Sequence, residues 1–167
     1  MQGSINFVFH LLGFGLLITT LIGGLMLEFQ YRKEREIKQK LFVLFLTKRF
    51  GLLSPFVSLL MLATGMGNMY NMYGHSFHFA AMPAWLAAKI IFFAILLING
   101  AVLGPILSRK RTVFLKTIEE NIFSEKIGPT LNTFNKNISF FYAVQILLVI
   151  IILFLSVFGT GKHPGAF

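Results

Sequence analysis

The sequence has no cysteine. Neither a disulfide framework nor a thiolate metal site can be built from it. Acidic residues are few, six against fifteen Lys and Arg, and all six lie in or beside polar connections. A transporter that works through membrane-embedded carboxylates is therefore disfavoured. No phosphate-cradling glycine loop and no nucleophile–base pair at useful spacing is present. Charge of any kind makes up 13% of the 167 residues, where soluble domains average about 25%.

Apolar residues fill the space left by charge. They account for 56% of the chain, and Phe alone occurs 20 times. A soluble core of this size cannot enclose so much apolar surface, which leaves lipid as the solvent. The net charge of +9 raises the question of nucleic acid, and its distribution answers it. Seven basic residues lie between Arg32 and Arg49, and six between Arg109 and Lys136. Basic clusters flanking apolar runs set orientation in a membrane. No nucleic-acid partner is expected.

Four apolar runs occur, at about residues 5–27, 45–70, 84–107 and 138–158. Each is close to the roughly 20 residues a helix needs to cross about 30 Å of hydrocarbon. The runs are continuous rather than alternating, which selects helices over a closed barrel. The fold class expected is all-α: a polytopic four-helix membrane bundle forming a single domain over residues 1–167. The first run has no basic start and exceeds a signal-peptide core of roughly 7–15 residues, so it reads as a retained helix.

The first–second and third–fourth connections hold thirteen of the fifteen basic residues. Both are expected to be cytoplasmic, giving an N-out, C-out topology, in a bacterial inner membrane. His10, His75, His78 and His163 then lie towards the outer face. Before Gly128-Pro129, Val113, Ile118, Ile122 and Phe123 form a rough helical stripe among charged residues. That stripe predicts an amphipathic helix lying on the cytoplasmic surface.

Two ionisable residues fall inside the predicted spans, His10 and Lys89. Each lies about five residues from the outer end of its helix, so at 1.5 Å per residue they share a depth. Charge within a membrane is costly and marks function, although Lys89 is shallow enough to snorkel and His10 could bond a neighbouring helix. Neutral imidazole is a good axial ligand for haem iron. Gly13, one turn after His10, and Gly24 offer flat surface for a porphyrin, or serve helix packing. Lys89 could pair with a carboxylate, and Trp85, one turn earlier, could close such a pocket. Gly100 and Gly104 read as a packing notch. Asn99, Gln145, Thr19, Thr20 and Ser58 read as interhelical hydrogen-bond partners.

A second constellation recurs every third residue at the end of the second run: Met66, Met69, Met72, His75 and His78. Thioether sulfur and imidazole suit copper. Met is also an adaptable packing residue, so an interfacial packing segment is the competing reading.

The segment Val8-Phe9-His10-Leu11-Leu12-Gly13 resembles the start of the first helix of the HemJ-type protoporphyrinogen oxidases. Arg49 followed by Ser54-Pro55 and Gly65 resembles that family's second helix, and Trp85-Leu86-Ala87-Ala88-Lys89 its W-L-x-x-K segment at the third. Order and spacing agree over nearly the whole chain. The resemblance implies a four-helix, haem-b-binding membrane oxidoreductase that converts protoporphyrinogen IX to protoporphyrin IX, with a porphyrin substrate. It makes His10 and Lys89 the catalytic positions, while Gly13 and Trp85 are candidate cofactor neighbours from the pocket reading alone. The sequence departs from the family at Ala87, where His is frequent, and near Ile98-Asn99, where a Tyr-His pair is usual. Two other functions fit the composition: a small accessory subunit of a larger membrane complex or homo-oligomer, and a copper-handling protein using the Met/His segment.

Overall fold

The computed structural model describes residues 2–73, 82–120 and 127–160. These residues form six α-helices: α1 (Gln2–Lys33), α2 (Ile37–Gly51), α3 (Leu53–Tyr73), α4 (Ala84–Ile98), α5 (Gly104–Glu119) and α6 (Ile127–Thr160). A π-helical turn, Asn99–Leu103, joins α4 to α5. No strand occurs among the described residues.

Proline placement explains how six helices make four columns. Pro55 lacks an N–H and its ring crowds the carbonyl four residues back, at Gly51. The helix stops there, and Leu52 closes a tight turn by donating its N–H to the Arg49 carbonyl at 3.3 Å. α3 restarts at once, so residues 37–71 run as one long apolar column. Pro105 acts in the same way on Ala101. Here the chain absorbs the lost bond by widening into the π-helical turn just before it. At Pro129 the missing donor falls in the first turn of α6, where the N–H would be unsatisfied anyway.

All four columns are long and apolar enough to cross a membrane. The 32-residue α1 measures ~48 Å, well beyond the hydrocarbon thickness. The apolar surface is turned outward: Phe7, Phe9, Leu59, Phe140 and Phe154 are all exposed. An exposed apolar wall of this extent on helices long enough to span suits lipid as the solvent. The all-α four-helix membrane bundle expected from the sequence is the fold observed.

α1 packs against α3, α2 and α6, α4 packs against α6, and α5 packs against α2 and α6. In the bundle centre, Leu96, Leu148, Val149 and Ile152 gather Phe14 and Leu17 around them. At the end carrying the basic connections, Tyr31, Val43, Leu44 and Leu115 form a second cluster.

That second cluster corrects one expectation. The stripe before Gly128-Pro129 is not a separate helix lying on the membrane surface. α5 continues the third column without a break as far as Glu119. Leu115 is buried against Tyr31 and the α2 residues, and Ile118 packs beside it. Protein, not lipid, covers this part of the stripe, while Val113 is left exposed. Ile122 and Phe123 lie outside the described residues.

Candidate functional site

The seam between α1 and α3 is built from small and polar residues. Asn6, His10 and Gly13 share one face of α1, spaced by four and three. Met61, Thr64 and Asn68 share the facing stripe of α3 by the same spacing. Thr64 is buried. Its hydroxyl bonds back to the Leu60 carbonyl at 2.7 Å, which is the usual resting place of a threonine proton in a helix. His10 Nδ1 lies 2.9 Å from the same Thr64 oxygen. With the hydroxyl proton on Leu60, the Thr64 oxygen accepts from Nδ1–H and Nε2 carries the lone pair; with the hydroxyl turned to His10, the roles reverse.

The next turn outward repeats the clamp. Asn6 Nδ2 donates to the Thr64 carbonyl at 2.9 Å and to Asn68 Oδ1 at 2.6 Å. Gly67 makes room for this, since a Cβ there would lie 2.8 Å from Asn6 Nδ2. His10 is thus held on a fixed, hydrogen-bonded face of α1, with one ring nitrogen tied to protein and the other untied among the described residues.

Lys89 is half-buried on α4. It makes no ion pair among the described residues. The end of α1 meets the start of α6, Arg32 against Asn135, and the start of α4 meets the end of α6, Trp85 against Gly159, so His10 and Lys89 share an end of the molecule. Trp85, on the same face of α4 as Lys89, lies across α6 at Gly159. A Cβ at Gly159 would come within 2.5 Å of the indole. Trp85 is therefore an α4–α6 packing residue.

The two glycines offered as open surface for a porphyrin are in contact with side chains. At Gly13 a Cβ would lie 3.0 Å from Met61 Sδ, and at Gly24 2.8 Å from the Tyr142 hydroxyl. Both act as close-packing notches. Gly100 does the same against Gln145, whose amide nitrogen lies 3.1 Å from where its Cβ would stand. Met61 brings a thioether to the α1–α3 seam, one turn from Thr64. Met66 is 70% exposed and faces away from that seam, and Met69 is half-buried. The Met72 side chain, His75 and His78 lie outside the described residues. Among the described residues no cluster of three His or acidic side chains forms a metal site.

The opposite end holds a charge network that the sequence did not single out. Glu28 on α1 takes a two-pronged pair from Arg111 on α5, with Nη1 to Oε1 at 3.1 Å and Nη2 to Oε2 at 2.8 Å. Arg32 adds Nε to Oε1 at 2.9 Å. Its Nη2 reaches the Asn135 carbonyl and Ser139 Oγ on α6. Arg111 also lies over the Tyr31 ring, 3.9 Å from its centroid, a cation–π contact. One buried carboxylate thereby ties α1, α5 and α6 together.

Comparisons with protein-family models, with curated proteins and with solved structures return no significant match.

Proposed function

We propose that the chain is an integral membrane haem-b protein in which His10 would hold the haem iron through Nε2. One observation carries the reading. The Leu60–Thr64–His10 hydrogen-bond chain supports Nδ1 as donor, with the lone pair on the other nitrogen. Metal-ligating histidines are held in this way, with the second ring nitrogen donating to a protein acceptor. The donor set at this end of the bundle fits the group: an oriented neutral imidazole, and a Lys89 ammonium with no anionic partner among the described residues to meet a propionate. Gly13 does not add to the fit, because Met61 fills its face.

When bound, haem supplies one-electron redox chemistry. The chain's own residues supply position and environment. Thr64 holds the imidazole plane and tautomer. Asn6 and Asn68 lock the turn beside it. The apolar wall around the seam keeps water from the iron ligand. Lys89 offers a cation at matching depth.

The finer reading is that the protein oxidises protoporphyrinogen IX in a bacterial inner membrane. It rests on the resemblance of the His10 and Trp85–Lys89 segments to the HemJ-type oxidases. The Met/His copper reading is less favoured, because Met66 is turned outward.

The test is the visible spectrum of the full-length, detergent-purified chain after expression with ample haem, oxidised and reduced. A Soret band that disappears in His10→Ala is expected. Absence of any Soret band in the unaltered chain would exclude the haem reading. Conversion of protoporphyrinogen IX, followed by porphyrin fluorescence, tests the finer one; haem loading without conversion would remove the oxidase assignment alone.

A further inference from the structure

Between the helices, towards the basic end, lies a cavity of about 880 Å³. It is distinct from the His10 seam, as neither His10 nor Lys89 lines it. Its volume falls in the range of natural ligand pockets, about 300–1,000 Å³. The interior wall is mostly apolar, with Leu17, Leu21, Leu96, Phe141 and Val149 among its residues. Hydroxyls of Thr20, Ser54 and Ser58 interrupt it.

Exposed charge on the lining is basic. Lys48 comes from α2 and Arg109 and Lys116 from α5. All three are exposed, and none forms an ion pair among the described residues. Among the described residues the one acidic lining residue is Glu28, and both its oxygens are taken by Arg111 and Arg32. The cavity thus joins an apolar interior to three cations that lack counterions. Such a lining is complementary to an amphiphile with an anionic head.

We propose that this cavity binds an anionic phospholipid, with the phosphodiester held by Lys48, Arg109 and Lys116 and the upper acyl chains lying among the helices. The site stands at the end of the bundle that positive charge directs to the cytoplasm, where anionic lipids concentrate. Basic pockets between spanning helices on that side suit such head groups, and a bilayer lipid reaches the cavity by lateral diffusion. The proposal is independent of the haem reading.

The experiment is binding of phosphatidylglycerol to the full-length chain in detergent, read by native mass spectrometry. One retained lipid per chain is expected, with phosphatidylcholine retained far less. Changing Lys48, Arg109 and Lys116 together to Gln should weaken binding on the order of 100-fold. Changing the exposed Lys33, Arg35 and Lys38, which do not line the cavity, should have little effect. Ser58→Phe, which narrows the interior while keeping every charge, should also weaken binding. Equal losses in the two triple variants would reduce the effect to general surface charge and overturn the site. Unchanged binding in Ser58→Phe would overturn the placement of the acyl chains. Displacement by oleate at equal concentration would assign the cavity to carboxylate amphiphiles instead of phosphodiesters.

Discussion

The Arg111 guanidinium meets a carboxylate along its edge and a ring on its face. It grips both oxygens of Glu28 and lies 3.9 Å above the Tyr31 centroid. Arg111 is 2% exposed and Glu28 4%, so the pair is withdrawn from solvent at the end of the bundle where α1 meets α5. Removing one partner from such a pair leaves an uncompensated buried charge, at about 3–5 kcal/mol. Arg111→Ala and Glu28→Ala should each destabilise the bundle by that order. The double change Glu28→Leu with Arg111→Met should recover most of the loss, because a desolvated pair often gains little over apolar packing. Thermal unfolding in detergent distinguishes the two. Equal losses in the single and double variants would show that the helices depend on the charges themselves.

Thr64→Val keeps the shape of the α3 surface and removes the acceptor for His10 Nδ1. Loss of an outer-shell partner of a metal ligand lowers affinity by about 10–100-fold. If His10 holds haem as proposed, haem affinity should fall by that factor while the fold, measured by circular dichroism, is retained. Thr64→Ser, which keeps the hydroxyl, should restore occupancy. If Thr64→Val loads haem as fully as the unaltered chain, the hydrogen bond plays no part in ligation.

The glycines separate cleanly by surroundings. Gly159 has the Trp85 indole 2.5 Å from a would-be Cβ, whereas Gly15 has nothing within 4 Å. Gly159→Ala should cost about 1–3 kcal/mol through overpacking. Gly15→Ala, in the middle of α1, should be neutral or slightly stabilising, since Gly is the poorer helix former by about 1 kcal/mol. Trp85→Leu combined with Gly159→Ala should relieve part of the clash. A Gly159→Ala variant as stable as Gly15→Ala would mean that α4 and α6 do not meet at this point.

Asn99 is 7% exposed, and its Nδ2 has no hydrogen-bond partner among the described residues. It begins the π-helical turn ahead of Pro105. An orphaned buried donor costs about 1–3 kcal/mol, so Asn99→Leu should leave stability unchanged or raise it. A clear loss of stability would show that the amide is satisfied by water or a ligand in solution, and would give the π-helical turn a functional role.

Much of the architecture is legible in one dimension. Hydrocarbon thickness demands long apolar runs, and backbone satisfaction in lipid demands that they be helical, so four spanning columns follow from composition and run length alone. Pro55 and Pro105 fall where those columns depart from regular α-helix. The shared depth of His10 and Lys89 is likewise a matter of counting residues. The sequence also exposes Asn99 and Gln145 as polar positions inside spans, because each stands alone among apolar neighbours.

Partnership is what the tertiary structure decided. Thr64 is unremarkable in sequence, since a threonine can bond its own helix, yet it becomes the group that orients His10. Glu28, Arg32 and Arg111 look like ordinary flanking charges. They turn inward because α1 and α5 run beyond the hydrocarbon and must still pack against each other. Gly13 and Gly24 read equally as porphyrin platform or packing notch, and only the positions of Met61 and Tyr142 chose the notch. The amphipathic stripe of α5 could have met lipid or protein; residues 80 positions or more earlier in the chain, on α1, covered Leu115 and Arg111. Periodicity reveals which face of a helix is apolar or polar, but the neighbour that face meets is set by how the columns are arranged in space.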